Sequence, residues 1–198
     1  LRYWPLDYDR LLCKRVKFFQ ALIRHIIRAK NEGFPAEQYL DVAQNAVLDG
    51  DSDEVVESGR LRLKELAEDY VAYQKILRDY GFLDFGDVIM ETLRLFKERP
   101  AVLSLYQKQF KYLLVDEFQD TNWAQYELIK LLSRLARNVT VVGDDDQAIY
   151  KFRGASLANI LQFKDDYPEA VTVALTSNYR SHQDILDTAY KVILNNNP

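Results

Sequence analysis

The apolar pattern of this chain changes period once, near residue 110, and that change restricts its fold more than any other feature. From Leu11 to about Phe110 apolar residues recur at steps of three and four, the period of helices packed on one face. From Lys111 to Leu175 short β-branched runs alternate with helical stretches. The pattern predicts a strand over 112–115, a helix over 122–136, a strand over 139–142, a helix over 157–164 and a strand over 171–175. Apolar strands separated by helices imply parallel pairing with right-handed crossovers. The expected class is therefore α/β: a parallel sheet with helices, preceded by a mostly helical subdomain.

In the helical half, the first helix is expected from Leu11 to about Ala29, closed by Asn31-Glu32-Gly33. At 100° per residue, Leu12, Val16, Phe19, Ile23, Ile26 and Ile27 share a face. Arg10, Lys14, Lys17, Arg24 and Arg28 lie opposite, and no acid occurs between Arg10 and Lys30. Such a stripe is either a solvated face or a contact for phosphates. The run from Leu48 to Glu54 reads as an acidic loop. A second helix carries Leu63, Leu66, Tyr70, Tyr73, Leu77 and Tyr80 as a packing seam and ends at Gly81. A third is capped by Asp84 and runs through Val88, Ile89, Leu93 and Phe96 to Pro100. Farther on, Asn122 with Gln125 can form a capping box, and Ser156 can cap the helix that follows it.

With 48% hydrophobic residues in 198, the chain can bury a core and is not a disordered segment. A net charge of -4 means that nucleic-acid binding must come from a local stripe rather than bulk charge. A single cysteine, Cys13, supports neither a disulfide framework nor a zinc site and fits a reducing cytoplasm. No apolar run approaches the ~20 residues of a membrane span. The opening Leu1-Arg2-Tyr3-Trp4-Pro5 has neither an initiating Met nor a signal-peptide pattern, as expected of a piece of a longer polypeptide.

Four blocks carry chemistry. In Leu113-Leu114-Val115-Asp116-Glu117-Phe118-Gln119-Asp120, an apolar strand delivers carboxylates to its C-terminal end, where open α/β sheets bind ligands. One acid can hold Mg²⁺ and the other can polarise a water, although a bare Asp-Glu is also a common capping turn. In Val141-Val142-Gly143-Asp144-Asp145-Asp146-Gln147, three adjacent acids invite a cation, and the Gln147 amide can sense a terminal phosphate; the plain alternative is an acidic turn. In Ala148-Ile149-Tyr150-Lys151-Phe152-Arg153-Gly154-Ala155, rings interleave with cations as a single-strand platform requires, or else fill a core. In Leu175-Thr176-Ser177-Asn178-Tyr179-Arg180-Ser181, an arginine just past a strand can stabilise a phosphoryl-transfer transition state, or merely cap the strand.

Taken together, in this order and spacing, the blocks resemble motifs II, III and IV of UvrD/PcrA/Rep-type superfamily 1 DNA helicases: D-E-x-Q-D-T-N, G-D-D-D-Q-x-I-Y-x-[WF]-R-G-A and N-Y-R-S. The segments from Arg28 to Gly33 and from Leu83 to Val88 also resemble that family's inserted helical subdomain, with Gly86 where many members have an acid. The resemblance implies a partial RecA-like (P-loop NTPase) sheet. It divides the chain into a helical inserted subdomain (1–110), a partial motor domain (111–176) and the start of a second motor domain (177–198). It implies that Asp116 positions Mg²⁺ and Glu117 activates the hydrolytic water of ATP. Gln119 and Gln147 would report the γ-phosphate, Tyr150 and Phe152 would contact single-stranded DNA, and Arg153 would help couple the two sites. Tyr179 would stack on adenine and Arg180 would be an arginine finger. Phe152 replaces the Trp of close relatives, a smaller stacking face.

A phosphate-cradling loop requires G-x-x-x-x-G-K-[ST]. Only Gly81 and Gly86 have that separation, and Asp87-Val88 follows them, so motif I is absent from the chain. The expected parent is an ATP-dependent 3′-to-5′ helicase or translocase acting on single-stranded and tailed DNA, with this segment inactive by itself. A helicase–nuclease of the AddA/RecB type, a two-metal nuclease using Asp116, Glu117, Asp120 and Asp144 to Asp146, and a non-catalytic nucleic-acid-binding module are the competing readings.

Overall fold

The computed structural model describes residues 8–46, 53–144, 147 and 157–194. Five helices come first: α1 (Tyr8–Asn31), α2 (Ala36–Asn45), α3 (Asp53–Asp79), α4 (Phe85–Glu98) and α5 (Pro100–Gln109). Strand β1 (Leu113–Val115), a 3-10 turn (Phe118–Asp120), α6 (Trp123–Ser133), β2 (Val139–Val141), α7 (Leu157–Asp166) and α8 (Gln183–Ile193) follow. The expected parallel pairing is present: Leu113 faces Val139, Leu114 faces Thr140 and Val115 faces Val141. The result is a mostly helical α/β structure with a two-stranded parallel sheet. No described helix is long and apolar enough to cross a membrane.

Local chemistry sets the helix ends. The α1 helix stops where Gly33 adopts φ 81, so that the Phe34 N–H reaches the Ala29 carbonyl at 2.9 Å and the Gly33 N–H reaches Lys30 at 2.9 Å. Asp84 caps α4 in a reciprocal box with Asp87, and Asn122 caps α6 in the same way with Gln125. Pro100 does not end the third expected helix, which stops at Glu98; it opens α5 at a position that needs no N–H donor.

Two cores form. Ile26 and Ala29 of α1 meet Ala36 of α2 and Tyr70 of α3, with Leu22, Phe34, Tyr39, Val71 and Tyr73 around them. Phe118, Tyr126, Phe163 and Tyr167 make the second, against Val115, Ile129, Val139 and Val141 of the sheet and α6. Between them α4 and α5 pack on α6, and the Gln107 amide donates to the Leu131 carbonyl at 2.7 Å. The tyrosine seam of α3 is core at Tyr70, partly buried at Tyr73, and exposed at Tyr80, whose ring stacks on Phe82.

Four expectations are corrected. Residues 171–175 are not a strand: Val171, Val173 and Leu175 are 86%, 74% and 84% exposed, and no ladder partner lies beside them among the described residues. A β-prone sequence does not form a strand without a paired edge. Among the residues of its apolar face whose side chains are described, α1 buries Ile26, near its C-terminal end, while Val16, Phe19, Ile23 and Ile27 are exposed; the side chain of Leu12 lies outside the described residues. A 24-residue helix is roughly 36 Å long, and α2 and α3 cover only its last turns. Helices α2, α5 and α8 were absent from the expected layout. Of the acidic stretch 48–54, Asp53 and Glu54 open α3; the remainder, and Ser156, lie outside the described residues.

Candidate functional site

The site lies where β1 and β2 end. Past the ladder, the Val142 N–H donates to the Val115 carbonyl at 2.8 Å and the Phe118 N–H donates to the Val142 carbonyl at 2.9 Å. These bonds hold the two strand exits side by side, so Asp116-Glu117 and Gly143-Asp144 emerge from the same end of the sheet.

Asp116 and Glu117 are exposed there. Glu117 has φ 50 and ψ 44, a left-handed conformation that costs a non-glycine residue roughly 1–2 kcal/mol. Its N–H is held by Asp116 Oδ1 at 3.0 Å and its carboxylate by Gln119 Nε2 at 2.7 Å. Arg137 has a similar φ of 51 at a surface turn, where it pairs with Glu169, so backbone strain alone does not mark the site. What distinguishes Glu117 is a strained backbone together with an oriented, solvent-facing carboxylate.

Gln119 joins the two exits. It is 1% exposed, and both ends of its amide are engaged: Nε2 with Glu117, and Oε1 with the Asp144 N–H at 3.1 Å. Gly143 makes this approach possible, because a Cβ there would lie 2.9 Å from Gln119 Oε1. The line continues outward, with Gln147 Nε2 donating to Asp144 Oδ2 at 2.7 Å. Glu117, Gln119, Asp144 and Gln147 thus form one hydrogen-bonded series running from a carboxylate to an exposed amide.

The remaining expected residues divide in two. Tyr150, Phe152 and Arg153, with Asp145 and Asp146, lie outside the described residues. Tyr179 and Arg180 are exposed in the turn before α8, where Asn178 Oδ1 accepts the N–H groups of Arg180 and Ser181, both at 2.9 Å. Among the described residues, no ion pair joins Arg180 to the carboxylates of the site.

Further polar contacts that hold this turn leave little trace in the sequence. Asn159 is buried on α7 and donates Nδ2 to the Thr121 carbonyl at 2.9 Å, fixing the chain just past the turn that carries Gln119. Its signal was a polar residue four before Phe163, on the buried face of the same helix. Asn122 donates Nδ2 to Asn31 Oδ1 at 3.0 Å, a bond across 91 residues that no local pattern announces. Asp120 Oδ1 is buried without a hydrogen-bond partner among the described residues.

An exposed carboxylate at a strand end suits a hard divalent cation. Mg²⁺ in such sites takes one or two protein carboxylates and completes its shell with phosphates and water. Asp116 offers an exposed carboxylate with one oxygen occupied by the Glu117 N–H. Among the described residues no cluster of three or more His, Cys, Asp or Glu is arranged to hold a metal by itself.

Residues 6–168 match the family model of the UvrD/REP helicase N-terminal domain. The chain is 45% identical over 178 residues to the ATP-dependent DNA helicase PcrA of Leuconostoc citreum, covering 90% of this chain and 22% of that protein. It is 41% identical over 182 residues to the protein of the same name in Staphylococcus epidermidis, covering 89% of this chain and 25% of that protein. Against the Staphylococcus aureus protein, identity is 54% over 127 residues, 64% of this chain and 17% of the relative. The chain therefore spans about a quarter or less of the length of these relatives.

Proposed function

The chain belongs to the UvrD/REP helicase N-terminal domain family, and from that premise we propose that it supplies the hydrolytic carboxylates of an ATP-dependent DNA helicase. The observation that carries this reading is the bonded series Glu117–Gln119–Asp144–Gln147 at the ends of two parallel strands. It joins an oriented carboxylate to an exposed amide, the two groups that water activation and phosphate sensing require.

In this reading Asp116 holds Mg²⁺, and the ion with ATP supplies the charge neutralisation of phosphoryl transfer. Glu117 orients the attacking water and takes its proton. Gln147 contacts the γ-phosphate side. Gln119, buried and bonded at both ends, registers the phosphate through Glu117 and Asp144. Tyr179 stacks on adenine and Arg180 stabilises the transition state once the turn before α8 faces the nucleotide. Tyr150, Phe152 and Arg153 engage single-stranded DNA, and the basic face of α1 meets the phosphates of tailed DNA. Residues 111–176 belong to a RecA-like motor sheet, 1–110 to a helical insertion and 177–198 to a second motor domain, and movement is 3′ to 5′. No G-x-x-x-x-G-K-[ST] loop occurs in the sequence, so the chain alone holds half of an ATP site and does not turn ATP over.

The test uses the full-length protein that carries this segment. Glu117→Gln keeps the side-chain shape but cannot accept the water's proton, so hydrolysis should nearly vanish while ATP binding persists. Arg180→Ala should slow turnover by up to about 10³-fold. Near-normal turnover in either variant rejects the role of that residue, and ATP hydrolysis by the 198-residue chain itself rejects the half-site.

A further inference from the structure

The last turn of α1 is joined to the hydrolytic segment. Asn122 is 7% exposed and serves two partners. Its Oδ1 accepts the Gln125 N–H at 2.9 Å and caps α6, while its Nδ2 donates to Asn31 Oδ1 at 3.0 Å. The neighbouring Trp123 ring lies over Gly33, so close that a Cβ at Gly33 would sit 2.0 Å from Cζ3. Lys30, beside Asn31, is buried and paired with both Asp84 and Asp87, which fixes this turn of α1 in the interior. From Asn122 the chain runs back through Thr121, held by Asn159, into the 3-10 turn with Gln119 and its partner Glu117.

A displacement of α1 thus has a short, partly buried route to the carboxylate. On its outer surface the same helix presents Lys17, Arg24 and Arg28, all exposed. We infer that Asn31, through its hydrogen bond to Asn122, is a positioning residue that ties the DNA-facing helix α1 to the Glu117–Gln119 turn and sets the rate of DNA-stimulated ATP hydrolysis. This rests on the proposed function. Asn31 touches neither nucleotide nor DNA; it acts through the segment that it holds.

The chemistry of the bond gives a matched pair of variants in the full-length protein. Asn31→Leu keeps the branched outline of the side chain and removes the acceptor, whereas Asn31→Asp keeps an acceptor facing Asn122 Nδ2. A net hydrogen-bond contribution of ordinary size corresponds to about a tenfold rate change at most. Asn31→Leu should therefore lower kcat of DNA-stimulated hydrolysis by about fivefold to tenfold and leave KM for ATP within about twofold, with Asn31→Asp restoring kcat. Amide hydrogen exchange over residues 117–121 should quicken in the leucine variant and be normal in the aspartate one. If the leucine variant does not fold, Asn31→Ala removes the same acceptor. Unchanged kcat, unchanged exchange, or an aspartate variant as slow as the leucine one overturns the inference. A wild-type protein without DNA-stimulated hydrolysis overturns the proposed function instead, and the exchange measurement still decides the positioning role.

Discussion

The Lys30 ammonium lies 2.6 Å from Asp84 Oδ2, and only 1% of the lysine side chain is exposed. Asp87 Oδ1 is 2.7 Å away on the other side, the Tyr73 hydroxyl donates to Asp84 at 3.0 Å, and Gln74 donates to Asp87 at 2.8 Å. One cation therefore holds the end of α1, the seam of α3 and the cap of α4 together. Replacing such a buried partner leaves charge without compensation, which typically costs about 3–5 kcal/mol, whereas exposed pairs such as Arg28–Glu32 are worth ~1 kcal/mol or less. Lys30→Met should accordingly lower stability to urea by about 3–5 kcal/mol, while Arg28→Met changes it by less than ~1 kcal/mol. Similar losses in the two variants would show that the triad is not the joint described.

The same cluster sets a response to acid. Burial on its own would raise Asp84, but the Lys30 ammonium, the Asp87 N–H and the Tyr73 hydroxyl outweigh it and hold the carboxyl below its ordinary value of 3.8. The unfolded chain then binds a proton at Asp84 before the folded one does, so acid favours unfolding. This contribution to stability is present above about pH 4 and is lost as pH falls through the lower folded value. Asp84→Asn keeps a cap for α4 but has no proton to take up. Unfolding midpoints across pH 2.5–5 (an assay range set by the ordinary carboxylate value) should fall less steeply in that variant than in wild type, and parallel curves would reject the assignment.

Two glycines with left-handed backbones separate strain from packing. Gly33 has φ 81 and Gly81 has φ 68. A Cβ at Gly81 meets nothing within 4 Å, whereas one at Gly33 would clash with the Trp123 ring, 2.0 Å from Cζ3. Gly81→Ala should cost about 1–2 kcal/mol, the strain of the backbone alone. Gly33→Ala should cost clearly more, since Trp123 must also leave its seat. Equal losses in thermal or urea unfolding would mean that the ring moves freely.

The sequence announced local chemistry well and distant joints poorly. The boxes at Asp84 and Asn122, the helix end at Gly33 and the parallel alignment of 113–115 with 139–141 follow from residues a few positions apart or from strand–helix–strand patterning. The convergence of Glu117 and Asp144 follows from that alignment. Partnership across 54 or 91 residues, as in Lys30–Asp84 and Asn31–Asn122, leaves no periodic trace. Lys30, four residues after Ile26, lies on the buried face of α1 and not with the exposed basic residues. The run 171–175 misled for the opposite reason: its alternation is strand-like, but pairing depends on an edge that lies elsewhere.

The series through Gln119 yields a pH-dependent test of its role. The buried amide donates to Glu117 at one end and accepts from the Asp144 N–H at the other. In the full-length protein Gln119→Glu sets an ionised carboxylate against Glu117, two acceptors facing each other, while Asp144 retains its acceptor. Turnover at neutral pH should fall, by about tenfold for each ~1.4 kcal/mol lost in orienting the carboxylate. Protonation of the introduced carboxyl recreates a donor toward Glu117 and an acceptor toward Asp144. Burial and the neighbouring Glu117 both push that carboxyl above its ordinary value, so recovery begins on the acid side of neutrality. Turnover relative to wild type should therefore rise as pH is lowered in Gln119→Glu, and not in Gln119→Met, which has neither donor nor acceptor of comparable strength. If Gln119 only fills space in the core, the methionine variant should be nearly as active as wild type, and the glutamate variant should lose melting temperature and turnover together without recovering a normal rate in acid. Melting curves and pH–rate profiles for both variants distinguish the two roles, and flat relative profiles would defeat the orienting one.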